Sequence, residues 1–242
     1  APIPNARPLL LDRFRDGWRE RLTVSRGIDQ ALVDQFRRLA ANLVHRQRAD
    51  GTRVLMITSA LPGEGKTLTA LNLALILSES FRQRVLLVDA DLRRPRISEA
   101  ANLAVADGLS EALKAADERK VDLVRLTDTL SLLPAGRPDP DPMSGLTSPR
   151  MQQLLRDASA SFDWVILDTP PAAVVSDAGL LCAIADATVL VIRAGHTPYE
   201  AVQQAIDTLG RDRIVGVVLN GVQHDALQAY GHYGSVQPAT EG

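Results

Sequence analysis

The sequence predicts a doubly wound α/β domain built on a mainly parallel sheet. Two observations carry that prediction. Short, near-continuous apolar runs such as Val85-Leu86-Leu87-Val88 and Val165-Ile166-Leu167 suit strands buried on both faces of a parallel sheet. Helical patterns separate these runs, and regular strand–helix alternation is what a parallel α/β architecture requires. The length of 242 residues, with 45% hydrophobic and 23% charged residues, is enough for one large globular domain with its own core.

Taken in order, residues 1–28 carry Pro2, Pro4 and Pro8 and then a mixed Arg/Asp stretch with Trp18. They read as an N-terminal arm that either docks or stays partly disordered. Asp29 caps a helix whose apolar positions Ala31, Leu32, Phe36, Leu39 and Leu43 share one face, with Arg37 and Arg38 on the polar side. The domain proper spans 29–221, with strands expected near 53–58, 84–89, 129–133, 163–168, 187–192 and 213–219. Helices are expected between them, near 66–80, 96–103, 108–116, 148–160, 175–185 and 198–210. The stretch from Pro134 to Pro149 holds five prolines and no periodicity, so it reads as a long connection. After Asn220 the apolar pattern stops, and 222–242 reads as a flexible tail with Gly231, Gly234 and Pro238.

A net charge of −2 gives no electrostatic reason to expect nucleic acid. The single cysteine, Cys182, lies in apolar Leu180-Leu181-Cys182-Ala183-Ile184, which suits a buried, inert thiol and a reducing compartment. No apolar run approaches the roughly 20 residues that span a bilayer, and no signal peptide is visible. The chain begins at Ala1 rather than Met, which leaves a membrane segment outside it open.

The chemistry starts at Ser59-Ala60-Leu61-Pro62-Gly63-Glu64-Gly65-Lys66-Thr67, between the apolar run Val54-Leu55-Met56-Ile57 and a helical pattern from Leu68 to Leu77. Strand, glycine loop, then Lys-Thr opening a helix is the setting of a phosphate-binding P-loop. Backbone N–H groups converge there on an anion, Lys66 can reach β- and γ-phosphates, and the Thr67 hydroxyl can ligate Mg²⁺. The match departs from the general pattern at Ala60, where glycine is usual. Lys66 is one of only three lysines among 27 basic residues, in a chain that otherwise uses arginine.

Two further apolar strands end in aspartate, at Asp89-Ala90-Asp91 and at Asp168-Thr169-Pro170-Pro171. Each aspartate alone fits a helix cap or turn. Together, at the carboxyl ends of parallel strands where ligands bind, Asp89, Asp91 and Asp168 point to a nucleotide site. Three carboxylates beside a triphosphate would repel it without a metal, so the arrangement implies Mg²⁺.

In combination these residues resemble the bacterial tyrosine kinases of capsular and exopolysaccharide production. Ser59 to Thr67 matches that family's Walker A form, Asp89, Asp91 and Arg93 its Asp-x-Asp-x-Arg motif, and Asp168 to Pro171 its Walker B. The likeness runs from about residue 30 to 221 and includes Gly108 to Leu113, Ser148 to Met151 and Ser176-Asp177-Ala178. It implies that Pro62, Gly63, Glu64, Gly65, Lys66, Thr67 and Leu68 cradle ATP, and that Thr67, Asp91 and Asp168 hold Mg²⁺. Lys66, Asp89 and Asp91 would be catalytic, with Asp89 the general base toward a tyrosine hydroxyl. Asn220 resembles an adenine-contacting asparagine of related ATPases, and fits a strand-end turn with Gly221 equally well.

The resemblance further implies a homo-oligomer on the cytoplasmic face of the inner membrane. A membrane-embedded polysaccharide co-polymerase partner or a fused membrane domain would tether it. The phosphoacceptors would be Tyr230 and Tyr233, two of three tyrosines, in a neighbouring subunit's tail. Thirteen residues from Asn220 to Tyr233 extend at most about 45 Å. The chain departs from the family at its first-helix motif Glu-x-x-Arg-x-x-Arg, where Asp34, Arg37 and Ala40 stand, and at the loop Asp139 to Met143. Two other functions therefore compete: a kinase-poor ATP-binding regulator or scaffold of the same pathway, and a partition-type ATPase switch. Leu61 occupies the position where partition ATPases carry an extra lysine.

Overall fold

A computed structural model describes residues 14–25, 27–103, 107–115 and 122–222. Tyr230, Tyr233 and the rest of the expected tail beyond residue 222 lie outside the described residues. In chain order the elements are α1 (Asp16–Arg19), α2 (Gln30–Asp50), β1 (Val54–Ser59), α3 (Lys66–Glu79), β2 (Val85–Asp89), α4 (Ile97–Ala100), α5 (Leu109–Lys114), β3 (Val124–Arg125), β4 (Leu130–Leu133), α6 (Met143–Leu146), α7 (Pro149–Ser161), β5 (Trp164–Asp168), α8 (Asp177–Ile184), β6 (Ala187–Arg193), α9 (Tyr199–Leu209) and β7 (Ile214–Asn220).

The sheet has the order β3-β4-β2-β5-β1-β6-β7 and is parallel except where β3 pairs with β4. Alternate residues of each strand serve opposite faces, which is why the strands read as unbroken apolar runs. Leu55, Ile57, Val85, Leu87 and Ile166 pack with α2, α3 and α4 on one side. Val54, Met56, Leu86, Val88, Val165 and Leu167 pack with α5 to α9 on the other. The expected strands and helices are all present, within a few residues of the expected bounds. The antiparallel strand β3, and α6 inside the proline-rich connection, were not expected.

Residues 14–25 dock on the domain. Phe14 and Leu22 are buried in the α2/α3 core. The Asn72 side chain of α3 accepts a hydrogen bond from Thr23 N (2.8 Å) and donates to Arg21 O (3.0 Å). The Asp29 carboxylate accepts from Ala31 N (2.9 Å) and so caps α2. The chain order places β2 and β5 on one side of β1 and β6 and β7 on the other, so the carboxyl end of β1 opens onto a topological switch.

Candidate active site

β1 delivers Ser59 to that switch, and residues 60–65 turn into α3. Gly63 and Gly65 hold φ of 82° and 95°, a region glycine enters without steric cost. Among the described residues, the N–H groups of Gly63, Gly65, Lys66 and Thr67 donate to no protein acceptor. The back of the loop, by contrast, is fully tied. Ser59 Oγ donates to Leu61 O (2.8 Å), Leu61 N donates to Glu64 Oε2 (2.8 Å), and Asn220 Nδ2 donates to Glu64 O (2.8 Å). A loop braced from behind, with free N–H groups in front at a helix N-terminus, is built for an anion.

The acids meet this cradle from β2 and β5. Asp89 and Asp168 are register partners, and Ala90 N donates to Asp168 O at 2.8 Å. Lys66 Nζ lies 2.9 Å from Asp91 Oδ2 and 3.8 Å from Asp168 Oδ1. Burial pushes the Asp89 carboxyl well above the usual carboxylate range, and the neighbouring Asp168 charge adds to the rise. Burial also raises Asp168, against the opposing pull of the Lys66 ammonium. For Lys66 burial disfavours the charge, but Asp168 and Asp91 outweigh it and its pKa ends above the ordinary lysine value.

Asp89 Oδ2 accepts from Ile97 N (3.1 Å), whereas Asp89 Oδ1 and both oxygens of Asp168 have no donor in hydrogen-bonding geometry, the Thr67 hydroxyl being the nearest influence on Asp168 besides charge. Unpaired carboxylate oxygens in the interior are costly unless protonated or met by a cation. Among the described residues no group of three or more His, Cys, Asp or Glu forms a metal cage. The unpartnered Asp168 oxygens, with Asp91 beside them, fit Mg²⁺, which takes one or two carboxylates and fills its remaining positions with phosphate and water. Thr67 Oγ1, 3.5 Å from Lys66 Nζ, lies at the same point.

The comparisons with known proteins bear on this geometry. Residues 55–231 match the CobQ/CobB/MinD/ParA nucleotide binding domain family. The chain is 36% identical over 206 residues to tyrosine-protein kinase YwqD of Bacillus subtilis, covering 84% of this chain and 86% of that one. It is 35% identical over 214 residues to tyrosine-protein kinase etk of Escherichia coli, covering 87% of this chain. The solved kinase domain of that enzyme superposes with a TM-score of 0.74 at 31% identity, over 87% of this chain and 80% of that one. The chain belongs to the bacterial tyrosine kinases. It spans only 29% of the full-length Escherichia coli protein. It also spans 24% of the succinoglycan biosynthesis transport protein ExoP of Rhizobium meliloti, with 33% identity over 189 residues covering 75% of this chain.

Within this bacterial tyrosine kinase, Lys66, Thr67, Asp89, Asp91 and Asp168 converge, while Pro62 and Gly63 form the exposed lip of the cradle. Leu68 turns its side chain into the α2/α3 core, so only its main chain can face a phosphate. Asn220 braces the loop through Glu64 O and accepts from Gly221 N (2.9 Å) through Oδ1. Glu64 is buried, and its carboxylate faces Leu61 N and the Thr197 hydroxyl rather than the cradle.

Three residues that motif reasoning gave no role hold the rim. Arg93 grips the buried Asp177 carboxylate with Nε and a terminal nitrogen (2.5 and 3.1 Å) and donates to Pro140 O (2.6 Å). Asp139 N donates to Leu92 O (2.8 Å), and Lys114 Nζ lies 2.7 Å from Asp139 Oδ2. The proline-rich connection is thereby fastened to the segment that carries Asp91. Thr197, the third, joins the loop after β6 to the phosphate loop. On α2, Asp34 and Arg37 pair with each other at the surface (3.1 Å), and Ala40 is fully buried. Among the described residues no helix is long and apolar enough to cross a membrane.

Proposed function

We propose that this bacterial tyrosine kinase transfers the γ-phosphoryl group of ATP to Tyr230 and Tyr233 in the tail of a neighbouring copy. The observation that carries the proposal is Lys66, ion-paired to Asp91 and close to Asp168, at the head of a cradle of free N–H groups. In the reaction the tyrosine oxygen bonds to the γ-phosphorus, the bond from that phosphorus to the bridging oxygen breaks, and ADP leaves. Phosphoryl transfer of this kind is governed by positioning and charge stabilisation. The loop N–H groups and Lys66 bind the phosphate oxygens. Thr67, Asp91 and Asp168 would hold Mg²⁺, which supplies neutralisation of the charge developing on the β- and γ-oxygens.

Asp89 takes the tyrosine proton. Its raised pKa suits a base that must hold a proton once it has accepted it. Asn220, at the β7 side of the loop, would contact the adenine with its remaining amide hydrogen. By analogy with the succinoglycan transport relative, the activity serves exopolysaccharide or capsule polymerisation or export. The protein would act as a homo-oligomer at the inner face of the membrane, through a membrane partner or a fused membrane segment. A second reading, a regulator or scaffold that binds ATP but assembles weakly, draws on α2, whose polar pair is spent internally and whose Ala40 faces the core.

The deciding experiment incubates the protein with ATP and Mg²⁺ and measures phosphotyrosine beside Lys66→Ala. Phosphotyrosine in the wild type alone supports the kinase. Its absence, even with the cytosolic segment of the membrane partner added, leaves the regulator.

A further inference from the structure

We propose that Glu64 is a positioning residue that acts through Thr197, tying the loop after β6 to the phosphate loop so that both ends of the nucleotide are bound as one unit. The inference rests on the nucleotide-site reading above. Glu64 lies within the phosphate loop, yet the residue is only 4% exposed and its carboxylate is turned from the cradle. Oε2 accepts from Leu61 N at 2.8 Å, and Oε1 accepts from the Thr197 hydroxyl, 133 residues away in the chain. The same Thr197 oxygen accepts from Arg193 N at 2.8 Å. The last residue of β6, the loop 194–198 and the phosphate loop therefore meet at one hydroxyl. On the main-chain side, Asn220 at the end of β7 holds Glu64 O at 2.8 Å. Glu64 is thus gripped by the loop after β6 at its side chain and by β7 at its backbone.

The sheet order says what this strut spans. Asp91 and Asp168 belong to the ends of β2 and β5, on one side of β1, while β6 and β7 lie on the other. A nucleotide whose terminal phosphate sits at Lys66, Asp91 and Asp168 must lay its nucleoside across the ends of β6 and β7. Thr197 and Asn220 stand at that end. A hydrogen bond to a buried carboxylate is stronger than a neutral one, and its loss leaves the acceptor short of a partner. Breaking the strut therefore frees the loop beside the nucleoside while leaving the N–H cradle in place.

The test titrates the full chain with Mg-ADP and, separately, with magnesium pyrophosphate, which engages the cradle alone. Thr197→Val should weaken ADP binding about tenfold or more. Pyrophosphate should change far less, Thr197→Ser should restore ADP affinity, and thermal melting should confirm that each variant is folded. Wild-type ADP affinity in Thr197→Val, an equal loss for ADP and pyrophosphate, or failure of serine to rescue would each overturn the strut while leaving the nucleotide site intact. A wild-type chain that binds neither ligand would overturn the nucleotide-site reading, and the strut with it.

Discussion

Gly65→Ala isolates the contact that shapes the phosphate loop. Gly65 caps α3 at φ 95°, and a Cβ built there would lie 2.1 Å from Asn220 Nδ2 and 3.3 Å from its Cγ. Two costs follow. An alanine in the left-handed region costs about 1–2 kcal/mol. Asn220 must also swing aside, and its amide then leaves Glu64 O, which costs about 0.5–1.5 kcal/mol. The sum is about 1.5–3.5 kcal/mol, or a fall in melting temperature of about 3–14 °C for a domain of this size. Calorimetry of the ligand-free protein reads it directly. In an Asn220→Ala background the collision is gone and only the backbone cost of about 1–2 kcal/mol remains, so the two substitutions should couple by about 1 kcal/mol. An equal loss in both backgrounds would refute the collision, and wild-type melting of Gly65→Ala would refute both terms.

Three more outcomes are expected. Asp89→Asn should abolish phosphoryl transfer yet raise the melting temperature at pH 7. The folded state raises this carboxyl above its ordinary 3.8, so it binds the proton more tightly than the unfolded chain does. Stability is therefore lost as pH rises from about 3.8 toward the folded pKa, and the gain from the Asp89→Asn substitution should vanish near pH 4 in a calorimetric series. Arg93→Ala strands the buried Asp177 carboxylate and should cost about 3–5 kcal/mol in urea melts, with Asp177→Leu recovering part of the loss. Asn72→Ala removes both hydrogen bonds to the N-terminal segment, about 1–3 kcal/mol, and limited proteolysis should then cut within residues 14–25 first.

The strands were legible because burial on both faces leaves no polar alternation to confuse: Val85 to Val88 and Val165 to Leu167 could hardly be anything else. The acids at their ends followed from the rule that ligands gather at the carboxyl edge. Sheet order is not written in periodicity, since each crossover can pass to either side. β3 is only two residues long, and α6 is hidden among prolines. Glu64 shows the limit most plainly. As a residue between two glycines of a P-loop it reads as a nucleotide contact. Its partner Thr197 lies 133 residues downstream, and no local pattern announces the pair. Arg93 and Asp177 likewise stood in separate motifs, with nothing in their spacing to say that one grips the other. The N-terminal segment, rich in Arg and Asp, concealed Phe14 and Leu22, which find their apolar surroundings only in the assembled core.

The central claim is transfer from one copy's Lys66 site to another copy's tail, and a mixing experiment tests it most directly. Lys66→Ala protein, with an intact tail and no working cradle, is mixed with Tyr230→Phe/Tyr233→Phe protein, which has a working cradle and no acceptor tail. After incubation with ATP and Mg²⁺, phosphotyrosine is mapped by mass spectrometry. Phosphate on Tyr230 and Tyr233 of the Lys66→Ala chain is the predicted result. An unmodified tail in that mixture, while the wild-type protein phosphorylates its own, would contradict transfer between copies.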